Sequence, residues 1–194
     1  MAPGVILYGP PGSGKDTVTE ELSRLRTEFA LFQRLKAGPG RTQGYRLTTV
    51  DHIEELSRAG GLLYRNARYD AEYAIDRQGV ASMVDAGRIP ILHMGQVVGA
   101  SAVAAFPLRW IRVLLWCPLN VTESRSISRG DKDVEARLKV WHETQEDLLA
   151  HATEPWTLTL RTDQLSPTES ANVIIEALAA SAPAESRNIR EIIG

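Results

Sequence analysis

Apolar residues fall along this 194-residue chain in short runs bounded by turn formers, alternating with segments whose apolar positions recur at helical spacing. The runs at 4–8, 30–36, 88–94, 110–116 and 156–161 read as buried strands. The segments at 14–28, 51–60, 75–86, 96–105, 119–129, 132–151 and 167–180 read as helices. Two helix starts carry a signature. Ser166 followed by Pro167 and Glu169 is a capping box, and Asp51 with Glu54 three residues on predicts a second N-cap. Strands alternating with helices predict an α/β fold, a central parallel sheet with helices on both faces. There is no internal repeat and no low-complexity block, apart from an Ala-rich stretch at 178–184.

Two regions break the alternation, the first made of two segments. Residues 37–50 are glycine-rich and polar with short β-prone runs, and residues 61–75 carry Tyr64, Tyr69 and Tyr73 among Arg65, Arg68, Asp70 and Glu72. Together they predict a small inserted subdomain, at about 34–87, whose polar and aromatic side chains face a ligand. The second break is 123–140, where Arg125 and Arg129 share a helix face, a Gly-Asp turn follows, and Arg137 sits early in the next helix. Arginines around such a turn suit a lid that closes over phosphates. The plainer reading is a solvated face, with Arg129 and Arg137 paired to Glu123, Asp133 or Glu135.

The chemistry is concentrated at residues 9–17, Gly9-Pro10-Pro11-Gly12-Ser13-Gly14-Lys15-Asp16-Thr17, directly behind the apolar Val5–Tyr8 run. A strand, a glycine-rich loop and a helix are the setting of a P-loop, in which backbone N–H groups and a lysine hold nucleoside triphosphate phosphates. Gly9, Pro10, Gly12, Ser13, Gly14, Lys15, Asp16 and Thr17 are therefore the candidate ATP-binding residues. The usual pattern places a hydroxyl after the lysine for Mg²⁺; here that place holds Asp16, with Thr17 next, and both are candidate metal ligands.

Composition narrows the partners. A net charge of −2 argues against bulk nucleic-acid binding, and no apolar stretch approaches the length of a bilayer span. The lone Cys117 excludes an internal disulfide framework and reads as a core residue near a strand end. The first residues lead straight into the P-loop strand without space for a signal peptide, so a cytoplasmic location is expected. Asn120-Val121-Thr122 then reads as a helix start after Pro118, not as a glycosylation site. The tail at 182–194 either frays or docks on a partner subunit, and a homo-oligomer stays open.

Taken in order, these pieces resemble the guanylate kinase family of nucleoside monophosphate kinases over most of residues 4–180. The likeness rests on the P-loop, the Gly44-Tyr45 pair, the Asp51-His-Ile-Glu-Glu-Leu helix, the Tyr73 segment, the Gly87-Arg-Ile-Pro-Ile-Leu strand and the Arg125–Arg137 run. It implies one P-loop kinase domain over 1–181, a three-layer α/β/α fold with a central parallel sheet, an inserted acceptor-binding subdomain and an Arg-rich lid. It further implies ATP and Mg²⁺ as cofactors, with Lys15, Arg125, Arg129 and Arg137 in the catalytic role. Tyr45 and Tyr73 would hold the acceptor's phosphate together with a cation drawn from Arg34, Lys36 and Arg41.

The base-reading positions depart from that family. Its carboxylates fall here near Tyr64 and near His93 or Gly95, and its Tyr-Gly-Thr/Ser motif reads Tyr73-Ala74-Ile75. Guanine presents N–H groups that need acceptors, and leaving them unpaired is costly. The expected acceptor is accordingly a small phosphorylated molecule other than GMP, most simply another or a modified nucleoside monophosphate. A sugar phosphate is the alternative, since a relative that phosphorylates ribose 1,5-bisphosphate also lacks the guanine readers. A non-catalytic interaction domain is the third reading, which the intact loop disfavours. His93 at a strand's C-terminal end faces the ligand crevice of an open α/β sheet. Were the acceptor atom a hydroxyl, Asp16, Asp70 and His93 are the candidate bases, and Thr162 and Asp163 are candidate adenine contacts.

Overall fold

Residues Pro3–Tyr8 (β1) are apolar on both faces from Val5 onward and fully buried, as a central parallel strand requires. The chain, a computed structural model describing residues 1–68, 70–185 and 188–193, wraps four further strands around β1. Helix α1 (Lys15–Leu25) leads to β2 (Phe29–Leu31), and a second sheet follows before α3 (Arg77–Asp85) and β7 (Ile89–Met94). Then come α4 (Val97–Ala104), β8 (Arg109–Trp116), α5 (Leu119–Ser128), α6 (Val134–Ala150), β9 (Leu158–Arg161), α7 (Pro167–Ala179) and α8 (Ile189–Ile193). The main sheet runs β2-β7-β1-β8-β9 with every pairing parallel.

Pleating divides the apolar residues between two cores. Ile6 and Tyr8, Leu92 and Met94, and Leu114 and Trp116 face α4, α6 and Trp156. Val5 and Leu7, Ile89 and Ile91, and Val113 and Leu115 face α1 and α7. The alternation of a strand thus builds the three-layer α/β/α architecture directly.

The smaller sheet runs β4-β3-β6-β5, from β3 (Leu35–Ala37), β4 (Arg46–Leu47), β5 (Leu62–Arg68) and β6 (Ala71–Asp76). Helix α2 (Val50–Arg58) packs on it through Ile53, closing a small core with Leu35, Ala37 and Ala74. The single strand expected at 30–36 is two: β2 pairs with β7, the chain crosses between sheets over 32–34, and β3 pairs with β6 and β4. The helix expected from 75 starts at Arg77, because Ile75 and Asp76 still pair with β5. Asp51 is not the N-cap of α2; Thr49 is, its hydroxyl accepting from the His52 N–H. The capping box at Ser166 and Glu169 forms as read.

The tail docks on its own chain. Glu185 bridges Trp156, and Ile189 and Ile193 of α8 are buried against the α6 side of the core. Among the described residues no helix is long and apolar enough to cross a membrane.

Candidate active site

The turn from β1 into α1 uses backbone that side chains resist. Gly12 and Gly14 lie at φ 74 and 85, which glycine reaches without a Cβ clash. A Cβ on Gly12 would press on Thr122, whose hydroxyl donates to the Pro11 carbonyl at 3.0 Å and so pins the loop to α5. Lys15 Nζ closes the loop, donating to the carbonyls of Gly9 (2.5 Å) and Pro10 (2.9 Å). Burial lowers its ammonium to about 8, against the opposing pull of Asp16. At neutral pH it remains charged.

His93, next to last in β7, stands beside the loop because β7 pairs in register with β1, Leu7 against His93. Its Nε2 is 2.7 Å from Thr19 Oγ1 and its Nδ1 is 3.6 Å from Asp16 Oδ1. Burial, then the neighbouring Lys15 and Arg34 cations, lower the imidazole to about 4, with Asp16 opposing. The ring is therefore neutral at physiological pH.

Arg34, in the crossing between the sheets, donates to the His93 carbonyl. Burial lowers its guanidinium, while Tyr45, Tyr64 and Tyr73 stand close enough to counter the shift. The Tyr45 and Tyr73 rings pack at 5.4 Å between centroids. Tyr64 donates its hydroxyl to Gln96 Oε1, and its ring fills the space where a Cβ on Gly99 would come within 2.8 Å. One arginine and three tyrosines are thus gathered beside Lys15, His93 and Asp16.

The other two candidate cations are placed differently. Lys36 is 1 % exposed and donates to the carbonyls of Gly38 and Pro39, 5.9 Å below the Tyr73 ring, so it braces the loop after β3. Arg41 is exposed and turns onto the Gln43 carbonyl at 3.2 Å. Asp70 is exposed in the β5–β6 turn at φ 56. Tyr69 lies outside the described residues.

On the far side of the loop, a cavity of about 370 Å³ is lined by Gly12, Gly14, Thr17, Arg125, Thr162 and Ser170, among others. Thr17 faces this cavity while Asp16 faces His93, as neighbours on a helix do not share a face. The pair therefore does not converge as a two-ligand metal site. Arg125 donates to the Gly12 carbonyl (2.7 Å) and the Thr162 carbonyl (2.6 Å), spanning the cavity wall from the loop to the end of β9. Arg129 and Arg137 both pair at 3.0 Å with Asp131, the carboxylate of the Gly-Asp turn, rather than with Glu123, Asp133 or Glu135. Asp163 is held by Arg161 at 2.9 Å, which lowers its carboxyl, and is not turned to the cavity. A larger cavity of about 560 Å³, between Phe32, Arg46, Asp76 and Met83, contains no P-loop residue.

Asp147 was not anticipated. Its Oδ2 accepts from the Tyr8 hydroxyl (2.8 Å) and the Val97 N–H (2.7 Å), tying α6 to the strand before the loop and to the start of α4. Burial and this carboxylate raise the Tyr8 phenol. The one signal was negative: Gln96 gives α4 no side-chain cap, so its first amides needed a partner from elsewhere.

The loop fits a nucleoside triphosphate: glycines at left-handed torsions that a side chain resists, an ammonium held by the loop carbonyls, and a helix N-terminus behind them. The donor chemistry also fits Mg²⁺, which favours carboxylate oxygen, and Asp16 is 85 % exposed at the loop.

No protein-family model and no curated protein sequence matches the chain. Solved structures do. A guanylate kinase from Anaplasma phagocytophilum is similar over 93 % of this chain and 86 % of its own, with TM-score 0.63 at 14 % identity. A sugar kinase from a Janibacter species is similar over 94 % and 99 %, with TM-score 0.57 at 20 % identity. A shikimate kinase from Acinetobacter baumannii, in complex with shikimate, matches over 93 % and 94 %, with TM-score 0.50 at 16 % identity. The chain has the fold of the P-loop kinases. Its likeness to the guanylate kinase member of that group is in fold, at low identity.

Proposed function

We propose that this protein transfers the γ-phosphoryl group of Mg-ATP to a small phosphorylated acceptor, a nucleoside monophosphate other than GMP. The observation that carries the reading is Arg34, which donates to the His93 carbonyl and lies within the fields of Tyr45, Tyr64, Tyr73 and Lys15. An arginine among hydroxyls receives a phosphate, and its nearness to the P-loop lysine brings that phosphate against the triphosphate. Lys15 and the loop amides bind the donor, Asp16 would hold Mg²⁺, and Thr17, Arg125 and Thr162 border the cavity for the donor's nucleoside. Bound Mg²⁺ supplies charge neutralisation at the transferring phosphates. The acceptor's phosphate oxygen forms the new P–O bond as the bond to the ADP oxygen breaks, and no base is needed for an acceptor oxygen already ionised. Arg129 and Arg137, on either side of the α5–α6 turn, would exchange Asp131 for phosphate as the turn closes and excludes water. The buried thiol of Cys117 suits a reducing cytoplasm.

One observation favours a sugar phosphate as the second reading. By the family resemblance the guanine readers would stand near Tyr64 and near His93 or Gly95, and Tyr64 is engaged with Gln96, His93 with Thr19 and Asp16. Among the fold's neighbours, the sugar kinase and the shikimate kinase bear names of acceptors without a base. ADP release from Mg-ATP across nucleoside monophosphates, sugar phosphates and sugar bisphosphates decides. Turnover with a nucleotide, lost in Lys15→Ala, is the expected result; turnover confined to sugars selects the second reading. Silence together with a lack of ATP binding would sink both.

A further inference from the structure

Asp16 stands where P-loops ordinarily carry a hydroxyl. A hydroxyl there is short and set by the helix, whereas an exposed carboxylate has rotamers to choose from. The contact that reaches it from the sheet is His93 Nδ1, 3.6 Å from Oδ1. His93 itself is held tightly: its backbone, in β7, pairs with Leu7 of β1, its side chain is 18 % exposed, and Nε2 lies 2.7 Å from Thr19 Oγ1, one helical turn beyond Lys15. The ring has two neutral tautomers. With the proton on Nε2, the Nδ1 lone pair would face a carboxylate that has only lone pairs to offer. With Thr19 donating to Nε2, the proton lies on Nδ1, on the side of Asp16, whose Oδ1 stands within ionic reach at 3.6 Å, longer than a hydrogen bond.

We propose that His93 is a positioning residue for Asp16: Thr19 fixes the tautomer, and the Nδ1–H group holds the Asp16 carboxylate at the loop, where it receives the Mg²⁺ of Mg-ATP. The proposal rests on the phosphotransferase reading. It inverts the common arrangement in which a carboxylate orients a metal-bound histidine, since here the histidine orients the carboxylate. Among the described residues no three His, Cys, Asp or Glu side chains gather to hold a metal by themselves. The ion would therefore come with the nucleotide, and a single protein carboxylate would be worth orienting. The Arg34 guanidinium on the His93 carbonyl ties the same residue to the acceptor side.

The test is calorimetric, on the full chain without acceptor, taking the ratio of ATP dissociation constants in EDTA and in Mg²⁺. Mn²⁺ in place of Mg²⁺, with electron paramagnetic resonance, reports the metal environment independently of turnover. Asp16→Asn should remove most of the metal's enhancement of ATP binding. His93→Leu should lower it by about 10-fold, the usual loss when such an orienting partner is removed. His93→Asn, whose amide N–H stands close to the place of Nδ1–H, should retain it. The double variant Asp16→Asn/His93→Leu should be no worse than Asp16→Asn, because the histidine acts through the carboxylate. If His93→Leu does not fold, His93→Gln serves instead, since its amide reaches toward Thr19 but not Asp16. An unchanged ratio in His93→Leu, an equal loss in His93→Asn, or additivity in the double variant would overturn the proposal and leave the phosphotransferase reading standing. An unaltered chain that does not bind ATP at all would overturn both.

Discussion

A Cβ built on Gly9 would stand 2.1 Å from the Leu115 carbonyl oxygen and 2.7 Å from Ser13 Oγ. The first of these belongs to β8, the strand beside β1 in the middle of the sheet, and cannot move without breaking the ladder. Gly44 makes the useful contrast: it lies at φ 86, yet a Cβ there would meet nothing within 4 Å. Gly9→Ala should cost about 3 kcal/mol, the upper end for overpacking, and Gly44→Ala about 1 kcal/mol, the cost of a left-handed alanine. Denaturant melts of both variants check this, and ATP titration should show lost affinity only for Gly9→Ala. Equal costs at the two positions would mean that the loop is held by torsion alone and not by its contact with β8.

Helix ends give the sharpest test at the level of elements, because sequence and structure disagree about one of them. Asp51 with Glu54 reads as an N-cap pair, but Thr49 carries the cap and Asp51 lies in the first turn of α2. Thr49→Ala should cost about 1 kcal/mol, and Asp51→Ala only the few tenths owed to the helix dipole. A reversed order in chemical denaturation would move the helix start by two residues. Ser166, in contrast, was legible because its proline and glutamate allow one register only. The central strands were legible for a similar reason: they are apolar on both faces and short. What could not be read was the split of 30–36 between two sheets, since a period-two pattern serves either one equally well. The site divides along the same line. The loop and Lys15 lie within one local motif, and Arg34 could be named as a cation but not told apart from Lys36. Thr19 with His93, and Asp147 with Tyr8 and Val97, are pairs 74, 139 and 50 residues apart. No local spacing announces contacts that only the sheet order creates.

At the scale of the whole molecule, α6 and the connection after it brace the rest. Asp147 reaches β1 and α4, Glu143 meets Arg68 of the β5–β6 hairpin at 3.1 Å, and Glu154 receives Arg112 of β8 at 2.8 Å. The last of these pairs differs from a surface ion pair, because the Arg112 side chain is only 9 % exposed and also lies over the Trp156 ring. Burial alone would raise the Glu154 carboxyl, but hydrogen bonds from Arg112 and Ser101 with the Arg112 and His151 field outweigh it, and the net shift is downward from 4.5. A carboxyl held below its unfolded value contributes stability that is complete above the unfolded value and fades as pH falls through the folded one. The unaltered protein should therefore exceed Glu154→Gln in stability by about 1–3 kcal/mol near pH 7, the range for a charge-assisted bond to a buried partner. The two curves should converge in acid, once Glu154 is protonated in both the folded and unfolded states. Urea denaturation of both proteins between pH 7 and pH 3 reads the difference directly. A gap that stays constant down the whole range would show that the glutamate acts through packing, and that the charge on Arg112 is satisfied without it.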